Sequence, residues 1–170
     1  AALIIVALGL VDDKFGLDAP TKFVGQILAA GVMSMQGVSI AWLPINGTTI
    51  LDPVLSMAVT VFIVVLSINA VNMVDGLDGL AASVVGVGAT AFFTYTYFLS
   101  VANGYQRAAL ATLVSAAMVG VCIGFLPHNW FRARVFMGDT GSMLLGLLMA
   151  ASSVMVTGQV DPGALDNGSL

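Results

Sequence analysis

From Val54 to Val71 the chain runs without one charged residue, and comparable apolar runs recur along its length. A run of that size is long enough to cross a bilayer as a helix. In lipid every backbone N–H and C=O must be satisfied within the protein, which leaves helices or closed barrels. The run is β-branched but too long for a strand, so helices are expected. Composition points the same way: 59% of residues are hydrophobic, 8% are charged and none is Glu. A soluble domain carries about 25% charged residues. The mean hydropathy is +1.03. A weakly acidic balance, net charge -4, excludes the basic stripe that nucleic-acid binding calls for. Cys122 is the single cysteine, sits in an apolar run and reads as a packing residue; no intrachain disulfide can form.

In chain order, Ala1 to Val11 reads as the end of a first span, and Val11 to Lys22 as a polar loop broken by Pro20. Phe23 to about Ser39 begins a second span. Gly37 to Pro53 alternates like a strand around Pro44 and has an Asn46-Gly47 turn signal, so a hairpin outside the bilayer core is expected, with Trp42 near the interface. Val54 to Val71, Leu80 to Ser100, Ala108 to Leu126 and Met143 to Thr157 are four further spans, the last completed if Asp139 to Ser142 form its first turn. The aromatics Phe92, Phe93, Tyr95, Tyr97 and Phe98 suit an interfacial belt. Gly120 and Gly124 have the spacing of close helix packing. The fold class expected is all-α: a polytopic transmembrane helix bundle with a short extracytoplasmic β-hairpin. Residues 1–170 read as one transmembrane catalytic domain, a segment of a longer protein.

Loops of such a bundle alternate between its two sides. Asp12 to Lys22, Asn72 to Gly79 and Pro127 to Asp139 therefore fall on one face, with Lys14, Lys22, Arg132 and Arg134, while Arg107 falls opposite. The positive-inside rule makes the motif face cytoplasmic. Asp12, Asp13, Asp18, Asp75, Asp78 and Asp139 lie on that face too, so two separate counts point to one concentrated site.

The centre of that site is NAVNMVDGLDGLA, Asn69 to Ala81. Asp75 and Asp78 share a face if the segment is helical, and Gly76 and Gly79 allow a tight turn or close approach to a ligand. A lone DG pair would read as a polar inter-helix loop; two asparagines and a second DG favour a binding role. Clustered carboxylates beside a few cations suit a hard divalent metal, Mg²⁺ above all, which takes one or two carboxylates and completes its shell with water and substrate phosphates. Asp139 lies in FMGDTGS, where Thr140 or Ser142 is expected to cap a helix whose free N–H groups favour phosphate oxygens. Asp12 and Asp13 are consecutive and point about 100° apart on a helix. One can face a metal or a proton while the other holds structure, and repulsion between them favours a base. Lys22 can neutralise phosphate or snorkel to lipid head groups. His128 is given a secondary, interfacial role, and Phe136 either packs or stacks on a base.

Three motifs, VDDKFGLDAPTK, NAVNMVDGLDGLA and FLPHNWFRARVFMGDTGS, together resemble the polyprenyl-phosphate N-acetylhexosamine-1-phosphate transferase superfamily, of the glycosyltransferase family 4 type. The words MVDGLDGLAA, PHN and LPING resemble its GlcNAc branch. The resemblance implies transfer of a sugar-1-phosphate from a UDP-sugar to polyprenyl phosphate in a bacterial plasma membrane, with release of UMP and with Mg²⁺ or Mn²⁺ as cofactor. It implies Asp139 as the metal ligand and Asp12, Asp13 and Asp139 as catalytic residues. Asn72, Asp75 and Asp78 then form the nucleotide site, with Gly76 and Leu77 near the uracil, Phe136 stacking there, Asn129 in the pocket and Lys22 on phosphate. Membrane lipid is an expected partner, nucleic acid is not, and a homodimer is an open arrangement. The third acid of a DDxxD pattern is replaced by Gly16, with Asp18 the nearest substitute, and Phe131 to Arg134 stand where relatives often have Pro-Ala. A histidine-rich loop and the first spans are absent, so the isolated segment is expected to be inactive. The alternatives are a phospho-N-acetylmuramoyl-pentapeptide transferase and, from another class, an ion-coupled transporter, which would carry its acids near mid-bilayer; a structural role in membrane assembly with vestigial motifs ranks last.

Overall fold

The computed structural model describes residues 1–43, 49–103 and 106–157. Six helices occur among them: α1 (Ala2–Phe15), α2 (Ala19–Met35), α3 (Pro53–Val74), α4 (Leu80–Asn103), α5 (Gln106–Asn129) and α6 (Gly138–Thr157). Two short antiparallel strands, β1 (Trp42–Leu43) and β2 (Thr49–Ile50), pair Trp42 with Ile50 and Leu43 with Thr49. The all-α bundle with a small hairpin is the expected class. Asn46-Gly47 and Pro44, the turn signals, lie outside the described residues, as does the tail after Thr157.

Several boundaries differ from the sequence reading. Val11 to Lys22 is not one loop: α1 continues through Asp12 and Asp13 to Phe15, and α2 begins at Ala19. Gly16 closes α1 in the left-handed conformation, φ 67°, its N–H bonded to the Asp12 carbonyl, the geometry glycine adopts at least cost. Pro20 starts α2 rather than breaking a segment, because a first-turn N–H has no intrahelical partner to lose. Pro53 does the same for α3, and Asp52 caps it by accepting from the N–H groups of Val54 (3.0 Å) and Leu55 (3.1 Å). At the other extreme α5 runs past Leu126 and carries Pro127 inside its last turn. Asp139 to Ser142 do lie in the first turn of α6, as anticipated, and the helix begins one residue earlier, at Gly138. Where six spans were expected, the described residues contain four helices long and apolar enough to cross a membrane: α3 to α6.

Helix α6 is the central element. It packs against α1, α3, α4 and α5, while α2 packs mainly on α3 and α1. Over its apolar stretch 56% is buried, against 17–28% for the other three long helices. One apolar cluster joins Ile5, Ala29, Ala30, Val64, Ile68, Met143 and Leu147; another joins Val85, Ala89, Met118, Cys122 and Leu145. Small residues allow the close approaches. A methyl group on Gly146 would lie 2.6 Å from the Ile68 Cα, so α3 and α6 meet nearly backbone to backbone. Gly9 likewise abuts Thr140, locking α1 to the start of α6. Gly120 and Gly124, read as a packing pair, face open space in the described structure; a side chain there would touch nothing. Outward positions such as Phe62, Val87 and Leu113 are large, apolar and exposed, as a lipid-facing surface demands. Tyr95, Tyr97 and Phe98 are exposed in a run of ring contacts near the end of α4, where an interfacial belt would sit.

Candidate active site

Three chain segments far apart in sequence converge at one end of the bundle. They are the α1–α2 junction, the α3–α4 junction and the α5–α6 junction. The side chain common to them is Asp139, in the first turn of α6. Its Oδ2 accepts from the Lys22 ammonium at 2.7 Å, and its Oδ1 accepts from the Asn72 amide at 2.6 Å. Lys22 also pairs with Asp12 Oδ2, so one ammonium sits between two carboxylates. Those two partners, Asp12 first and Asp139 next, hold the Lys22 pKa above its ordinary value. Asn72 donates in addition to the Ser142 Oγ at 2.9 Å, and Ser142, fully buried, donates to the Gly138 carbonyl.

The consecutive aspartates of α1 divide their work, as their 100° separation allows. Asp12 is 5% exposed. Its Oδ1 accepts the Leu17 N–H at 2.7 Å and its Oδ2 faces Lys22 with no other donor. Asp13 points the other way, onto the start of α6. It accepts the N–H of Asp139 at 2.8 Å, the N–H of Thr140 at 3.1 Å and the Thr140 hydroxyl at 2.5 Å. The expectation that Thr140 or Ser142 caps α6 is therefore corrected: the cap is a carboxylate from another helix. Gly138, at φ 67°, has to be glycine in this arrangement, since a Cβ would press on the Asp13 carboxylate at 2.9 Å.

Asp75 ends α3 in the same region, half-buried. Burial and the negative charges of Asp139 and Asp13 push its pKa up to about 6, and no cation or donor among the described residues neutralises it. Asp78 is exposed and accepts the Ala133 N–H at 3.1 Å. Asn129 is buried at 3% exposure: its Oδ1 accepts the Gly79 N–H (3.0 Å) and its Nδ2 donates to the Val135 carbonyl (2.9 Å). Asp78 and Asn129 thus clasp the α3–α4 junction to the segment before α6, where Arg132 adopts φ 61°. Gly76 is exposed, and Leu77 and Phe136 are exposed apolar side chains at 69% and 74%. Asp18 is turned to the Thr21 hydroxyl at 2.6 Å and makes no contact with Lys22 or Asp139 through its side chain. His128 is exposed and takes part through its carbonyl, which accepts from the N–H groups of Arg134 and Val135.

Sequence reasoning missed Gln26, which lies under the site and hydrogen-bonds Asn69 at 2.6 Å. A polar residue in an apolar run, four residues after Lys22, was the available signal. Among the described residues no group of three His, Cys, Asp or Glu side chains is close enough to enclose a metal ion. The donors present are hard oxygens, with an ammonium already held between two of the carboxylates. That set suits a hydrated Mg²⁺, which uses few protein ligands, and does not suit a closed cage of protein ligands.

Decaprenyl-phosphate N-acetylglucosaminephosphotransferase of Mycolicibacterium smegmatis is 45% identical over 95% of this chain and 41% of its own length. Its counterpart in Mycobacterium tuberculosis strain H37Rv is 43% identical over 96% of the chain and 42% of its own length. Phospho-N-acetylmuramoyl-pentapeptide-transferase of Desulforudis audaxviator is 34% identical over 90% of the chain and 50% of its own length. The chain spans half or less of the length of these relatives. The four apolar helices and these relatives make it an integral membrane protein. The sequence profile of glycosyl transferase family 4 matches residues 1–157, every helix of the bundle included, and the chain belongs to that family.

Proposed function

We propose that this chain forms the catalytic part of a membrane transferase that moves GlcNAc-1-phosphate from UDP-GlcNAc to polyprenyl phosphate at the cytoplasmic face, as the first membrane step of cell-envelope glycan synthesis. The observation that carries the reading is the joining of three distant motif segments at Asp139 through Lys22 and Asn72. A phosphate oxygen of the lipid attacks the β-phosphorus of the donor. The bond from that phosphorus to the oxygen bridging the two phosphates breaks, and UMP leaves.

Transfer of this kind depends mainly on placement and on charge neutralisation. Lys22 supplies a cation at the rim, and Asp12 and Asp139 hold it in place. Asp12, buried beside it, would take a proton from the lipid phosphate. Asp13 holds the start of α6 and through it the position of Asp139. Mg²⁺, when bound, would be held by Asp139 with Asp75 beside it and would offset the charge of the diphosphate. Leu77 and Phe136, both exposed, offer apolar surface for the uracil. The muramoyl-pentapeptide donor is the second reading, supported by relatives of that name at lower identity. Acids gathered at one rim, not spread through the bilayer, disfavour a transporter.

The test is UMP release by the full-length parent with UDP-GlcNAc and polyprenyl phosphate, with and without Mg²⁺. Turnover is expected with the cation and not after chelation. Asp139→Asn is expected to lower kcat by roughly 10²-fold or more, the size of losing one charge-stabilising group. Full activity in that variant would remove Asp139 from the centre of the site.

A further inference from the structure

One helical turn beneath the three side chains that meet at the rim lies a second set, on the same three helices. Gln26 follows Lys22 by four residues on α2, Asn69 precedes Asn72 by three on α3, and Met143 follows Asp139 by four on α6. Residues so spaced share a helix face. The deeper set is also joined. The Asn69 amide donates to the Gln26 Oε1 at 2.6 Å and to the Val65 carbonyl at 2.8 Å, and the Gln26 amide lies 3.5 Å from the Met143 sulfur. Gln26 is 2% exposed, and its apolar neighbours Ala29 and Ala30 are fully buried.

A buried amide is costly unless it is hydrogen-bonded. The smooth apolar surface of α2 and α3 would by itself tolerate small slides and rotations. A bonded pair of amides, Gln26 buried and Asn69 half-buried, resists this, because shifting either helix takes the Asn69 amide away from the Gln26 Oε1. We propose that Gln26 and Asn69 are positioning residues that fix the depth and rotation of α2 against α3, so that Lys22 and Asn72 reach opposite oxygens of the same Asp139 carboxylate. Neither residue is placed to touch a reacting atom. The proposal rests on the transferase reading of that carboxylate.

The test exchanges the two side-chain lengths in the full-length parent in lipid nanodiscs. Gln26→Asn shortens one arm by a methylene and Asn69→Gln lengthens the other, so each single change misplaces the bond and the double change restores the combined reach. Each single variant is expected to lose roughly ten- to a hundredfold in kcat, the scale of a small misplacement far from the chemistry, with KM for UDP-GlcNAc unchanged and the melting temperature lowered by the unmade bond. The double variant is expected to recover. Spin labels at Phe23→Cys and Met73→Cys, exposed positions near the rim ends of α2 and α3, in a parent with any other reactive cysteine replaced, give a second readout; Cys122 is buried. Their distance distribution should broaden or shift in each single exchange and return in the double. Unchanged kcat in the single variants would overturn the proposal. So would loss of kcat in step with melting temperature that the double exchange fails to repair. If the parent itself releases no UMP, the transferase reading fails, and the label distances alone decide the pair: unchanged distances reject it, and shift with recovery supports it.

Discussion

At the scale of single residues, the site is held by two opposite charge environments a few residues apart in space. Lys22 lies between two carboxylates, and its pKa is raised. Asp75 has no cation beside it among the described residues, and burial first, then the like charges of Asp139 and Asp13, raise its pKa. The consequences for stability follow from linkage. The Lys22 pairing contributes fully below its unfolded value of 10.5 and is lost as pH rises through the higher folded value. Asp75 binds its proton more tightly folded, about 6, than unfolded, 3.8, so its ionisation opposes folding. With metal chelated, that contribution should fall between about pH 4 and pH 6 and then level off. Asp75→Asn is expected to flatten that part of the profile and to raise the melting temperature above pH 6, measured by thermal unfolding in detergent with chelator. A wild-type profile that rises over this interval and an Asn variant that melts no higher would contradict the environment described for Asp75.

Among the elements, α6 decides where the chemistry can be. It is the most buried of the long helices, and its first turn carries Asp139. The orphan N–H groups of that turn are satisfied by Asp13 from α1, so the cap is also a tie between helices. Removing a capping side chain costs about 1–2 kcal/mol. Asp13→Ala is accordingly expected to destabilise the full-length protein by that amount, while Asp13→Asn, whose single amide oxygen can serve Thr140 but not the Asp139 N–H as well, should fall between that variant and wild type. Equal melting temperatures for wild type and the Ala variant would show that the cap contributes nothing. Gly9 and Gly146 serve the same element differently, letting α1 and α3 approach its backbone closely.

For the whole molecule, the arrangement has two distinct ends. Lys22, Asn72, Asp75 and Asp139 gather at one, and the hairpin docks at the other, where Ile40 accepts from the Ser56 hydroxyl and donates to Thr60 near the start of α3. The function proposed above, with the positive-inside count, calls for the acidic end in the cytoplasm. Single cysteines at Leu77 and at Ile50, both exposed, should therefore react with membrane-impermeant reagents from opposite sides of intact cells, Ile50 from outside. Labelling of both from the same side would refute the topology, and labelling of Leu77 from outside would reverse the orientation.

The sequence by itself determined the class of fold and the identity of the motif residues. Apolar runs longer than a strand leave few options in lipid, and alternation of loops between two sides sorted the acids onto one end before any coordinates. It determined the start of α6 as well, because Gly138 to Ser142 carry local signals. It misjudged Val11 to Lys22, where charged residues in a helix end look like a loop, and Gly120 with Gly124, where spacing cannot say which face meets a neighbour. Only the tertiary structure decided that Asp12 faces Lys22 while Asp13 caps a helix 126 residues away. It alone showed that Asn129 is spent on the backbone of Gly79 and Val135. The physical reason is the same in each case. Span, boundary and side are set by local hydropathy and backbone preference, which a sequence displays. The partner of a carboxylate or an amide is set by which helices pack together and how closely, and that depends on small residues such as Gly9 and Gly146 acting across the whole bundle.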